Sequence, residues 1–112
     1  MGISTHILDT TLGRPAANVP LSLARWQQDQ WLVLAENKTD ADGRCVQLLP
    51  TGMALGAGPY RIRFETIAYY QAQRVAGLYP YVEIAFEVRD PSQHYHIPLL
   101  LTANGYTTYR GS

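Results

Sequence analysis

Cysteine is the first thing the chain lacks. Cys45 stands alone in 112 residues, which excludes an internal disulfide framework and a cysteine-based zinc site. A single thiol reads as a small buried hydrophobe. Charge is scarce as well: 16% of the residues are charged, with nine basic side chains against nine acidic ones, where about a quarter is ordinary. Without a basic cluster, neither nucleic acid nor an anionic membrane is an expected partner. No apolar run approaches the length of a membrane span. The opening Ile3-Ser4-Thr5-His6 reads straight into structure with no signal peptide, so a cytoplasmic protein is expected. Also missing are a Gly-x-Ser-x-Gly elbow, a phosphate-cradling glycine loop, a closely spaced pair of carboxylates, any internal repeat and any low-complexity stretch. One domain over residues 1–112 is expected, with no cofactor.

Aromatic residues are plentiful by contrast, with eight tyrosines and two tryptophans. A small chain with few charges and many amphipathic rings is expected to bury part of its outside against a partner, most simply as an oligomer. Period-two alternation, the mark of a strand, recurs along the chain. It predicts strands over Ile3–Thr10, Val19–Gln27, Trp31–Asn37, Arg44–Leu49, Tyr60–Glu65, Val82–Arg89, His94–Leu101 and Tyr106–Arg110. Turn chemistry separates most of them, including Asp42-Gly43 and Asn104-Gly105. Thr66–Val75 loses the alternation and reads as the only helix, with Thr66 a possible N-cap and Gly77 a stop. Eight short strands about a dozen residues apart predict an all-β fold, an antiparallel sandwich rather than a small barrel.

The histidines carry the chemistry that the spacing offers. His6 lies on the first strand, and His94 and His96 on the seventh. Alternation puts Tyr95, Ile97, Leu99 and Leu101 on the core side of that seventh strand. His94, His96, Pro98 and Leu100 then take the outer side, with Pro98 a local misfit because it cannot donate to a ladder. A lone histidine is most often just a surface imidazole. These are framed by Ser, Thr and Tyr on rigid strands, and Arg44 opens the fourth strand. A two-histidine metal site is conceivable, but no acidic residue or cysteine stands at a ligand spacing, so no metal is expected. From spacing alone, His6, Arg44 and His96 form a candidate polar cluster.

Three stretches resemble one family. Ser4-Thr5-His6-Ile7-Leu8-Asp9 with Gly13-x-Pro15-Ala16 resembles the opening of the transthyretin-related proteins, and Asp42-Gly43-Arg44 resembles their middle motif. His94-Tyr95-His96-Ile97-Pro98-Leu99-Leu100-Leu101, followed by Gly105-Tyr106-x-Thr108-Tyr109-Arg110-Gly111-Ser112, resembles their C-terminal signature. The register holds along the whole chain. The closing Tyr-Arg-Gly-Ser is similar to the purine-catabolic branch rather than the hormone-carrying one; Thr102-Ala103-Asn104 departs from the family at a turn away from the chemistry. The resemblance implies a transthyretin-like sandwich of two four-stranded sheets with one short helix. It also implies a homotetramer, a dimer of dimers around a central channel that covers the histidine face.

The activity implied is hydrolysis of a small-molecule substrate, 5-hydroxyisourate, to 2-oxo-4-hydroxy-4-carboxy-5-ureidoimidazoline in urate degradation. Carried over position by position, His6 and His96 are expected to share the general-base role, and Arg44 to stabilise a carbonyl or oxyanion. Ser112, through its hydroxyl or the carboxylate after it, is expected to orient water or a histidine. Tyr106 and Tyr109 are expected to wall the pocket, and His94 to be structural. The alternatives from other classes are a carrier that binds an aromatic ligand in the same channel, and an interaction module with no site.

Overall fold

In the computed structural model, residues 2–112 are described. The chain runs β1 (Ile3–Asp9), β2 (Arg14–Pro15), β3 (Pro20–Gln27), β4 (Gln30–Lys38), β5 (Arg44–Cys45), β6 (Gly58–Phe64), α1 (Thr66–Ala72), β7 (Val82–Val88), β8 (Tyr95–His96), β9 (Leu99–Leu101) and β10 (Tyr106–Thr108). Two sheets pack face to face. One is ordered β4-β3-β6-β7 and antiparallel throughout. The other is built around β1, which pairs with β2 and β5 along one edge and with β8 and β9 along the other; β10 lies outside β9.

The second sheet has six strands where four are expected. The surplus comes from interruption. β2 and β5 are two-residue pieces on one flank of β1, and β8 and β9 are one strand broken at Ile97-Pro98. Pro98 has no N–H to give to a ladder, so pairing stops there and resumes at Leu99. The gap is bridged from the side: the Thr5 hydroxyl donates to the Ile97 carbonyl at 2.6 Å, and the Thr108 hydroxyl to the Pro98 carbonyl at 2.8 Å.

The expectation of a purely antiparallel sandwich is corrected at β1. Its pairings with β8 and β9 are parallel, because nearly the whole chain lies between those strands and serves as their crossover. The fourth strand is also shorter than its alternation implies: laddering ends at Cys45, and Leu48 and Leu49 are both buried, which breaks the period of two. The helix ends at Ala72 rather than Val75, because Gln73 caps it and Arg74 takes a left-handed φ of 58°. Thr66 is inside the helix, with Glu65 as the cap residue; its buried hydroxyl donates instead to the Tyr79 carbonyl.

The core fills the space between the sheets. Ile3, Ile7, Leu99 and Leu101 meet Leu21, Leu23, Tyr60, Ile62 and Phe64, all buried. Every second residue of β1, β8 and β9 is spent on this contact, so the residues between them are turned away from it. Those residues are Ser4, His6, Leu8, His96 and Leu100.

Candidate active site

Two registers bring the outward-facing polar side chains together. His6 lies opposite Arg44 on one flank of β1, and Ser4 lies opposite His96 on the other. Ser4 and His6 are two residues apart, so about 7 Å of strand separates the two pairs on one face. The surface they share opens into a cavity of about 290 Å³ bounded by Ser4, Thr5, Arg44, Val46, His94, His96 and Ser112. That is the small end of ligand-site sizes, which run from about 300 to 1,000 Å³, and suits a single small ring system.

Arg44 is delivered by a turn that Asp40 builds. The Asp40 carboxylate accepts the backbone N–H of Asp42 and of Arg44, each at 2.9 Å, and the Asp40 N–H donates to the Arg44 carbonyl at 2.8 Å. Gly43 closes the turn at φ 72°, with its carbonyl accepting the Ile7 N–H at 2.7 Å. A Cβ there would stand 2.5 Å from the Ile7 carbonyl oxygen, so only glycine fits. Among the described residues no carboxylate pairs with the Arg44 guanidinium, which leaves its donor fork for a guest.

His96 is held on two sides. Its Nδ1 is 2.8 Å from the Ser4 Oγ, and its carbonyl accepts the Gly111 N–H at 2.8 Å. That second bond pins the tail beside the ring and brings Ser112 to the cavity. Burial holds the His96 imidazole below its ordinary value of 6.5, with Arg44 next in weight and His6 and His94 behind it. The group is therefore neutral near pH 7, able to accept or donate at a ring nitrogen. His94 is exposed, and its Nε2 is also 2.8 Å from the Ser4 Oγ. Among the described residues the His6 imidazole makes no hydrogen bond to protein, and no group of three or more His, Cys, Asp or Glu stands together as a metal-binding set.

Three of the site residues expected from sequence, Arg44, His96 and Ser112, line the cavity, and His6 lies opposite Arg44 on the same face without lining it. The two tyrosines do not line the cavity. Tyr106 is in register with Leu101, five residues beyond His96, and meets the Tyr79 ring edge-on at 5.1 Å. Tyr109 is 54% exposed just past the end of β10. Sequence reasoning passed over Ser4 as a functional group, although its parity with His6 was readable. A second cavity, about 190 Å³, lies at the far end of β1. Its buried polar groups are already committed: Tyr69 donates to Asp9 at 2.7 Å, and the other Asp9 oxygen accepts the N–H groups of Thr11 and Leu12.

The chain is similar to known proteins over nearly its whole length. The family model described as HIUase/Transthyretin family matches residues 3–111. The mouse 5-hydroxyisourate hydrolase is 41% identical over 112 residues, covering 98% of this chain and 94% of its own. The structure of Klebsiella pneumoniae 5-hydroxyisourate hydrolase superposes with a TM-score of 0.86 at 34% identity, covering all of both chains. Sea bream transthyretin in complex with thyroxine gives 0.91 at 31% identity, covering 99% of this chain and 95% of its own. The backbone alone thus fits a hydrolase and a thyroxine-bound transthyretin about equally well, and the side chains on the outer face must decide between them.

Proposed function

Since the chain belongs to the HIUase/Transthyretin family, we propose that it is an enzyme that hydrolyses 5-hydroxyisourate, and that the face of His6, Arg44, His96 and Ser112 is where it does so. The observation that carries this reading is that the His96 imidazole and an unpaired guanidinium share one small cavity, with His6 in register opposite Arg44 on the same face. A carrier of an apolar aromatic ligand gains nothing from such a set, because each polar group it buries unpaired costs binding energy.

The chemistry follows from those groups. Ring opening breaks an amide-like C–N bond: water adds to the carbonyl carbon, its oxygen becomes part of a carboxylate, and the ring nitrogen leaves with a proton. The product is 2-oxo-4-hydroxy-4-carboxy-5-ureidoimidazoline. A neutral histidine takes the proton from water and returns it to the departing nitrogen, help worth about two to four powers of ten. Arg44 presents fixed donors to the carbonyl oxygen as charge develops on it. Ser112, docked beside His96, orients the water. Tyr109 and Tyr106 reach a bound substrate only if an adjoining subunit closes the site. The low charge of the surface and the family's architecture support a homotetramer whose channel covers this face. No helix of the described residues is long and apolar enough to cross a membrane, and a cytoplasmic setting fits the reading.

The test is substitution. His6→Ala, Arg44→Ala and His96→Ala should each lower kcat/KM by at least about a hundredfold in an assay of 5-hydroxyisourate absorbance. Wild-type rates from all three would refute the site.

A further inference from the structure

The outward residues of β1 and β8 also form a hydrogen-bonded series whose direction is set from one end. The Gly2 backbone N–H donates to the His94 Nδ1 at 3.3 Å. A backbone amide can only donate, so Nδ1 of a neutral His94 accepts and its proton sits on Nε2. That Nε2–H then donates to the Ser4 Oγ at 2.8 Å. Ser4 is buried, and its hydroxyl has one hydrogen to place. Its remaining partner is the His96 Nδ1, also at 2.8 Å. Were His96 to donate from Nδ1 as well, the Ser4 hydrogen would have no acceptor, a loss that buried hydroxyls avoid. His96 therefore carries its proton on Nε2. That nitrogen has no protein partner among the described residues and is not sealed from solvent.

We infer that His94 and Ser4 are positioning residues that lock His96 as the Nε2–H tautomer, so that His96 enters the reaction as a hydrogen-bond donor to the developing oxyanion while His6 is the base. This rests on the hydrolytic reading and assigns the two histidines within it. The balance is simple. His6 takes the proton from water as the O–C bond forms and gives it to the ring nitrogen as the C–N bond breaks. His96 keeps its own proton throughout, polarising the carbonyl beside Arg44 as a neutral imidazole can. His94, which from sequence looks merely structural, thereby sets the polarity of the site from the cavity wall.

Two substitutions at the exposed position 94 separate this from a packing role. His94→Gln preserves the pattern, because its amide offers an acceptor to Gly2 and a donor to Ser4. His94→Glu reverses it, because a carboxylate only accepts. The Ser4 hydrogen would then turn toward residue 94, and His96 would have to donate from Nδ1. The readout is the two-bond ¹H–¹⁵N spectrum of the full-length protein, at a pH high enough that His96 is neutral, which reports the proton-bearing nitrogen without any turnover. The wild type and the Gln variant should show the His96 proton on Nε2, and the Glu variant on Nδ1. The Glu variant should also have a kcat at least about a hundredfold below that of the Gln variant at similar KM, the loss expected for one oxyanion donor. A wild-type proton on Nδ1, or a tautomer indifferent to position 94, would overturn the inference. So would a tautomer that flips with no change in kcat. If the wild type shows the Nε2 proton yet does not turn over 5-hydroxyisourate, the hydrolytic reading fails and the assignment of roles with it, while the locked tautomer stands.

Discussion

Replacing Gly111 with alanine probes how tightly the tail is fitted to the catalytic ring. A Cβ at this position would lie 2.4 Å from the His96 Cδ2, 3.2 Å from its Cγ and 3.4 Å from its Cβ. Carbon atoms pack at about 3.5–4.0 Å, so one side must retreat by about 1 Å. Retreat of the tail breaks the 2.8 Å bond from the Gly111 N–H to the His96 carbonyl and carries Ser112 away from the cavity. Retreat of the ring pulls Nδ1 from Ser4. One partly exposed hydrogen bond is worth about 1 kcal/mol, a fall in Tm of roughly 4 °C for a domain of this size. Activity should suffer far more, because a misplacement of about 1 Å at reacting groups costs about a hundredfold. Gly105→Ala is the control, since a Cβ there meets nothing nearer than the Thr102 hydroxyl at 3.7 Å. The assays are a thermal scan and the absorbance decay of fresh 5-hydroxyisourate. A Gly111→Ala enzyme with the kcat/KM of the control would show that the tail does not position His96, and the close fit would be incidental.

Two further outcomes follow from the same geometry. Because burial and the Arg44 charge hold His96 below 6.5, its neutral form persists to lower pH than in a free histidine. The His96 ring, followed by its ¹⁵N shifts, should therefore titrate below about 6.5, and its midpoint should move up toward that value in Arg44→Gln. The sign for stability is the same: the unfolded chain binds a proton at His96 that the folded chain resists. Stability should thus fall as pH drops below the unfolded value, and thermal scans across that window read it. The second outcome is assembly. Sedimentation at micromolar protein should find a tetramer, and an active monomer would remove the channel from the account.

Much of the architecture was legible because burial here obeys period two. Tyr95, Ile97, Leu99 and Leu101 are all buried, as their alternation requires, and that parity alone turns His96 outward. The Asp-Gly turn before Arg44 was equally local. Long-range features were not legible. Alternation says which face a residue takes and nothing about which strand lies beside it, so the parallel pairing of β1 with β8 and β9 was hidden. The same limit hid Ser4 between two imidazoles contributed from some ninety residues away. The early end of α1 has a different cause. Nothing in Gln71-Ala72-Gln73-Arg74 forbids helix, and the left-handed Arg74 closes it with the Val75 N–H on the Tyr70 carbonyl at 2.9 Å. Tyr106 and Tyr109 came from motif position rather than from packing, and a single chain places neither at the cavity.

The most direct test of the central claim is the decay of freshly prepared 5-hydroxyisourate in the presence of catalytic amounts of the wild-type protein, run in ¹⁸O water beside a protein-free sample. The account predicts loss of substrate far faster than the spontaneous rate, with one ¹⁸O atom in the new carboxylate of the ring-opened product. A rate equal to the protein-free control would contradict it.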